Sequence, residues 1–545
     1  MTEDDVFLGD EQMQTRTIAL SRPDIACVAI MGLVAFATVL LSTVSGIGLS
    51  LDSFDYIYAA QNLVAGHGLN SNHTTGQLAP FTHFPPLYPL SLAALGLLGL
   101  EPLVAARWLN SLCFPLSVIL IGLITRINLG CRFWLMGLSC FLVTTSINMI
   151  KVFSFALSEP LFITFVLGKL FFLSLYLKSS ERPFLLVGAA CASLALLTRY
   201  VGVAAVGTGF VALVALTQKD WRNRLSDLRI FAVISLFPIS LYIARNIYVA
   251  GTAANRTVMF HAIPGAKFAQ FIDTLAGWLV PVGNLPFPLK QSVLIAAVLV
   301  LASGLVWCVR EWTLPGTGFV QTHDKRALLL VGTSIPAYIF SLVISLLFLD
   351  AAIPLNYRIL APLFPLCLVC VIGVLRRFLR ASNGKRTIVT MATAACIVFS
   401  GIYFIQGVRW TWNNSVGANR DYNYNNKAWQ QSQLLAALAA LPPEVRIYTN
   451  EPQGVYFHLG RTALSVPTNL SLSTGQQVSD FAARVSSITQ QAEQGKAVVA
   501  YFRLHNWTHF APEEDLEHLA GLIKLKETDD GAIYGSETLR KILSP

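Results

Sequence analysis

The chain has 545 residues, of which 54% are hydrophobic and only 13% charged, with a mean hydropathy of +0.58. Soluble domains carry about 25% charged residues, so this composition excludes a soluble globular protein and identifies a polytopic membrane protein. The net charge of +9 comes from Lys and Arg in short clusters between apolar stretches, a pattern that follows from membrane insertion and excludes a nucleic-acid-binding face.

Residues 1–24 read as a cytoplasmic tail. They open on Glu3, Asp4 and Asp5 and lack the basic segment and small-residue cleavage site of a signal peptide, so the first span is expected to remain as an anchor. Apolar runs then fall at 25–48, 103–125, 133–150, 155–177, 184–198, 201–217, 228–248, 289–309, 328–349, 359–375 and 387–406. A hydrocarbon core about 30 Å thick takes roughly 20 residues of helix. The stretch 184–217 is too long for one crossing, and Arg199-Tyr200 interrupts it, so it reads as two spans joined by a tight turn.

The linkers between these spans alternate as the positive-inside rule requires. Arg126 with Arg132, Lys178 with Arg182, "QKDWRNRLSDLR" (218–229), Arg310 to Arg326 and "RRFLRASNGKR" (376–386) share one side. The other side receives 52–107, the linker at Lys151, the Arg199 turn, 245–290, 350–358 and everything after the last span. The sequence thus predicts about 11 transmembrane helices, N-terminus in and C-terminus out. The expected divisions are a membrane domain over 25–407, holding a first extracytoplasmic loop at 50–102, and an extracytoplasmic α/β domain over 408–545.

That first loop is long for a connector. "DSFDYIYAAQNLVAGHGL" (52–69) places Phe54, Ile57, Tyr58, Gln61 and Leu63 as in an amphipathic helix lying on the membrane surface, and Pro85-Pro86 opens a second interfacial helix. After 407, "VRIYTN" (445–450), "AVVAYF" (497–502) and "AIYGS" (532–536) read as strands alternating with helical segments, which predicts a partly parallel sheet. The nine cysteines all precede residue 400 and lie in or beside apolar runs, so they read as buried thiols rather than a disulfide or zinc framework.

The pattern Asp52-x-x-x-Tyr56-x-x-x-Ala60-x-Asn62-Leu63-x-x-Gly66-x-Gly68 followed by "PPLYP" (85–89) resembles the first extracytoplasmic loop of GT-C glycosyltransferases. It is similar in particular to the branch of the protein O-mannosyltransferases and the lipid A aminoarabinose transferase. Further echoes follow in order: "ARWLNSL" (106–112), "SEPLF" (158–162), "LLTRYVG" (196–202), "ARNIYVAGT" (244–252), "NYRILAPLFP" (356–365) and "YTNEPQGVYFHLGR" (448–461). The resemblance implies a polyprenyl-phosphate-linked sugar donor, a glycan, lipid or protein acceptor, and single-sugar transfer with inversion on the extracytoplasmic side of the cytoplasmic membrane. An aspartate would act as general base.

Asp52 holds the position of the family's acid, four residues before Tyr56. Asp55 is off that pattern and could bind acceptor, bind a metal or be a solvated charge, and for each acid the bland reading is a helix-end carboxylate. Glu159 and Tyr56 are candidates for contact with substrate. Arg358, Arg199 and Arg245 lie at extracytoplasmic ends of spans, against the positive-inside trend, and suit the donor phosphate; lipid headgroups are the alternative. His83 and His261 are further substrate-side candidates. His67, His73 and His83 match no compact ligand set, so no metal is assigned, although a divalent ion stays open because GT-C members differ in using one. The rival class is a transporter or flippase of a lipid-linked or anionic substrate, which would place its ionisable residues near mid-membrane.

Overall fold

The structure is a computed structural model, and it describes residues 20–72, 77–279, 286–313, 320–381, 386–415, 423–468, 477–505, 510, 513 and 522–543. The expected tail before residue 20 and His73 lie outside these residues.

All eleven apolar runs fall on helices. Among the described residues, five are long and apolar enough to cross a membrane: Arg22–Ser42, Pro102–Asn128, Glu159–Ser179, Trp221–Ala250 and Asp324–Phe348. A sixth span arises if Phe133–Thr145 and Ile147–Phe153, bent by 59° at Ser146, count as one. The stretch 184–217 does break at Arg199, into Arg182–Thr198 and a helix starting at Tyr200, both shorter than a full crossing. Arg199 takes an extended backbone between them, and Gly202 closes the turn by bonding back to its carbonyl at 2.8 Å.

Among the described residues, the basic linkers carry three ion pairs with acids near them. Arg126 bonds Asp24 at 3.0 Å, Lys219 bonds Asp227 at 2.9 Å and Arg376 bonds Asp324 at 2.6 Å. Segments 43–72, 77–102, 154–159, 199, 245–264, 350–358 and the described residues from 423 on meet at one end of the bundle, tied by the bridges Gly48–Phe155 and Leu49–Asn423 and by the Arg256–Asp350 ion pair.

The stretch after residue 50 forms the helix Leu51–Val64. Ser53 Oγ accepts from the Ser50 amide at 3.0 Å at its start, and Asp52 sits in the first turn, where a carboxylate is favoured by the helix dipole. Gly66 and Gly68, with φ of +80° and +77°, turn the chain out of the helix in the left-handed region into the antiparallel pair β1 (Asn70–Asn72) and β2 (Leu78–Pro80). Pro86 precedes the second helix, Leu87–Gly96. Phe54, Tyr56, Ile57, Tyr58, Ala59 and Ala60 are all buried: Phe54 and Tyr58 pack on Tyr424, Phe457 and Tyr456 of the C-terminal region, and Tyr56 packs on Phe81, Phe84 and Tyr88 of its own loop.

That region carries a five-stranded sheet in the order β4-β3-β5-β7-β6. β3 (Arg446–Thr449) pairs in parallel with both β4 (Ala463–Ser465) and β5 (Ala497–Phe502), while β7 (Gly531–Gly535) runs antiparallel to β5 and to β6 (Ile523–Thr528). Its one face joins the core of the helices through Tyr424, Trp429, Ile447, Val455 and Phe502. The other has a small cluster of its own around Tyr448, Val499 and Tyr534. The long helix expected to end near 407 continues to Ser415.

Candidate functional site

A cavity of about 1050 Å³ opens where the first loop, the ends of the helices Arg182–Thr198, Trp221–Ala250 and Val320–Phe348, and the C-terminal region meet. Asp52, His83, Arg199, Arg256, Asp350 and Arg358 supply its ionisable lining from the membrane part, and Tyr424, Asn450 and His505 line it from the C-terminal part.

Local structure brings the first group together. The leader 46–49 is fixed by a parallel bridge between Gly48 and Phe155, with Gly48 N donating to Ser154 O at 2.9 Å and its carbonyl accepting from Ala156 N at 2.9 Å. A β-carbon at Gly48 would come within 2.9 Å of the Phe155 ring, so this approach requires glycine. It sets Asp52 opposite the start of the helix Glu159–Ser179. Arg358 belongs to the short helix Tyr357–Leu360, capped by Asn356 Oδ1, which accepts from Arg358 N at 3.1 Å and Ile359 N at 3.3 Å.

The Arg358 guanidinium bridges two acids, donating to Asp52 Oδ2 and, at 2.7 Å, to Glu159 Oε1. Arg199 reaches the same Glu159 oxygen at 2.8 Å and Ser158 Oγ at 3.0 Å. Glu159 is only 1% exposed at its side chain, whereas Asp52 is 27% exposed and Arg358 17%. Two guanidiniums and two carboxylates thus form a neutral quartet, with Asp52 as the acid on the cavity side. Glu159 Oε2, buried, has no hydrogen-bond partner among the described residues.

The charges set the protonation of the lining. Burial works to raise the Asp52 carboxyl, but Arg358, seconded by Arg199, outweighs it and holds the group below the usual carboxylate range. Burial lowers His83, and the neighbouring Arg256 lowers it further, so its imidazole is neutral at pH 7. Arg256 Nη2 lies 3.3 Å from His83 Nε2 and Nη1 lies 2.9 Å from Asp350 Oδ2.

Four expected residues are placed away from the cavity. Asp55 accepts from Ser71 Oγ at 2.9 Å and holds the β1–β2 pair. Arg245 donates to the carbonyls of Phe81 at 2.8 Å and Leu69 at 2.7 Å; irregular backbone needs such partners when buried, and this arginine is not among the residues that line the cavity. Tyr242, one turn earlier, does the same for Phe81 O and Phe84 O. His261 is buried beside the end of the helix Val320–Phe348, its amide donating to Leu347 O at 2.7 Å. Tyr56 is buried among Phe84 and Tyr88, with its hydroxyl 3.1 Å from Ser158 Oγ. It therefore stands behind Arg199 as a positioning residue. Among the described residues no three His, Cys, Asp or Glu converge as a metal-binding group.

The C-terminal wall went unnoticed in the sequence. Glu451, 1% exposed at its side chain, accepts from the Tyr424 hydroxyl at 2.6 Å through Oε2 and lies 2.6 Å from His505 Nδ1 through Oε1. The "YTNEPQGVYFHLGR" echo contained Glu451, but its partners lie 27 and 54 residues away in the chain, beyond the reach of any local pattern.

Comparisons with known proteins come from three directions. Residues 51–269 match the family model of dolichyl-phosphate-mannose-protein mannosyltransferases, and no curated protein is matched by sequence. Among solved structures, the oligosaccharyltransferase AglB from Archaeoglobus fulgidus is similar with a TM-score of 0.51 at 10% identity, over 88% of this chain and 69% of that one. ArnT from Cupriavidus metallidurans is similar over 96% of this chain and 98% of its own, at 15% identity and a TM-score of 0.46. Mycobacterial arabinofuranosyltransferase AftD gives 16% identity and a TM-score of 0.49, over 95% of this chain and 42% of that chain.

Proposed function

We propose that this chain, whose residues 51–269 match the family model of dolichyl-phosphate-mannose-protein mannosyltransferases, is a GT-C glycosyltransferase that transfers one sugar from a polyprenyl-phosphate donor to an acceptor hydroxyl. The observation that carries the reading is the Asp52–Arg358–Glu159–Arg199 quartet at the cavity. The positive-inside rule places the basic end of the bundle in the cytoplasm and this cavity on the far side of the cytoplasmic membrane, under the C-terminal α/β region.

In this reading the donor phosphate competes with Asp52 for Arg358. A guanidinium offers paired donors to phosphate oxygens, and Arg199, tethered by Glu159 and Ser158, supplies the second cation. Asp52, relieved of its partner and placed beside a new anion, becomes a stronger base. It takes the acceptor's proton as that oxygen attacks the anomeric carbon from the face opposite the phosphate, so the new C–O bond forms as the C–O bond to phosphate breaks and the centre inverts. The donor phosphodiester carries one negative charge and the departing phosphate two, while Asp52 passes from charged to neutral; total charge is conserved, and the added charge falls on the two arginines.

The test uses the purified full-length protein with a labelled polyprenyl-phosphate sugar. Asp52→Asn is expected to lose transfer yet bind undecaprenyl phosphate with at least wild-type affinity. Retained turnover removes Asp52 as the base, and failure of the wild-type protein to bind undecaprenyl phosphate removes the donor class.

A further inference from the structure

The two walls of the cavity differ in chemistry. Every charged lining residue, Asp52, Arg199, Arg256, Asp350 and Arg358, comes from the membrane part. The C-terminal part contributes polar and aromatic groups, among them Tyr424, Asn450, Gln453, Ser465, Thr468 and His505, and among the described residues no lysine, arginine, aspartate or glutamate lines the cavity from it. Phosphate belongs on the first wall. The second presents donors and acceptors to the cavity and keeps the Glu451 carboxylate buried behind them, the chemistry that matches hydroxyl groups.

This second wall is built rigidly. The buried Glu451 ties Tyr424 and His505 together at 2.6 Å each. Asn450 is fixed in both directions, its Nδ2 donating to Phe502 O at 2.7 Å and its Oδ1 accepting from Phe502 N at 2.8 Å. Behind them Trp429 stacks between His458, with ring centroids 5.6 Å apart, and Phe502, at 5.0 Å. The His505 side chain, 21% exposed, lines the cavity from this frame. Tyr424 also packs edge-on to Phe54, two residues from Asp52 on the same helix, at 5.0 Å, so the wall is referenced to the proposed base through direct contact. A carboxylate buried to orient an imidazole next to a substrate cavity is costly for stability alone, which favours a recognition role.

We propose that the Tyr424–Glu451–His505 wall, with Asn450, binds a neutral, polyhydroxylated acceptor: the growing end of a glycan, rather than a peptide or a phosphorylated lipid. This rests on the cavity being a glycosyl-transfer site, and it adds the acceptor class. His505 and Asn450 hydrogen-bond acceptor hydroxyls, and Glu451 acts through His505 as a positioning residue.

The experiment uses the full-length protein in nanodiscs, with and without undecaprenyl phosphate, and measures binding of neutral manno- and arabino-tetrasaccharides by native mass spectrometry. A neutral Ser/Thr-rich peptide and a phosphorylated glycolipid serve as competing probes. A tetrasaccharide is expected to bind, and His505→Gln and Asn450→Ala should each weaken it about tenfold while undecaprenyl phosphate affinity changes less than twofold. Glu451→Gln, a variant at a buried site, should reproduce the His505→Gln loss; if it does not fold, the His505 and Asn450 variants decide. Binding of no tetrasaccharide, tetrasaccharide binding insensitive to both variants, or variant-sensitive binding of the peptide or glycolipid instead overturns the proposal. Loss of undecaprenyl phosphate binding in the wild-type protein would instead strike the donor reading, and the saccharide measurement made without that lipid still judges the acceptor wall.

Discussion

Arg358 is the residue on which the site turns, because a single guanidinium holds both Asp52 and Glu159. Arg358→Ala would leave those two carboxylates adjacent and remove a charge-assisted phosphate contact of about 1.5–3 kcal/mol. Donor KM should rise at least tenfold in a turnover assay. Arg358→Lys should recover little of it, since an ammonium cannot present the two-ended fork. Asp52→Asn should lower kcat by roughly 10²–10⁴-fold, the range of general-base catalysis. The depressed Asp52 pKa has a sign that can be checked. The active form is the carboxylate, so activity falls as pH drops through its pKa. In the free protein that point lies below the ordinary carboxylate range, whereas bound donor removes Arg358 and adds an anion, which raises it. The acid limb of kcat should therefore sit at higher pH than that of kcat/KM, and coincident limbs would contradict competition for Arg358. Stability follows the same linkage: the Asp52 contribution is present above its unfolded pKa and is lost as pH falls through the depressed folded value.

At the scale of elements, the helix Leu51–Val64 and the segment around Tyr424 function as a joint. Phe54 meets Tyr424 and Phe457, Tyr58 meets Tyr456, and Asn425 donates to Ile47 O at 2.8 Å. Phe54→Ala should cost about 3–5 kcal/mol, as for other buried aromatics, visible as a lower melting temperature with a matching loss of transfer. Gly454 is a second sensitive point, since a β-carbon there would approach the Trp429 ring to 2.4 Å. Gly454→Ala should destabilise by about 1–3 kcal/mol, the range for overpacking. The strands show why some elements are legible and others are not. β3, β5 and β7 are short apolar runs with β-branched and aromatic residues, and they lie within a residue or so of the expected positions. β4 has three residues, and β6 reads "IKLKET". Both are edges, where charge and brevity guard against unwanted pairing, and those same features hide a strand from a search for apolar alternation.

At the scale of the whole molecule, charge alternation along the chain implies which end faces the cytoplasm. A membrane-impermeant maleimide applied to intact cells should label His67→Cys, exposed beside the proposed cavity end, above the background of the parent chain. Arg222→Cys, exposed at the basic end, should be labelled only after permeabilisation. The reverse pattern would invert the topology and the proposed location of the site.

Composition and periodicity were enough to determine a helical membrane protein, because burial in hydrocarbon demands long apolar runs whatever the neighbours. Charge at the outer end of apolar runs drew attention to Glu159, Arg199, Arg245 and Arg358 alike, and the family resemblance added Asp52 and favoured Arg358 and Arg199. Tertiary structure alone decided which partners each polar residue meets. Arg245 and Arg199 look alike in sequence, yet one donates to loop carbonyls and the other to Glu159. Asp52 and Asp55 are three positions apart, and only the first reaches the cavity. Glu451, Tyr424 and His505 meet only because the sheet folds back over the first loop. Hydrophobic pattern is carried by neighbours along the chain, whereas hydrogen-bond partnership across a cavity depends on directions and distances that exist only once distant segments have met.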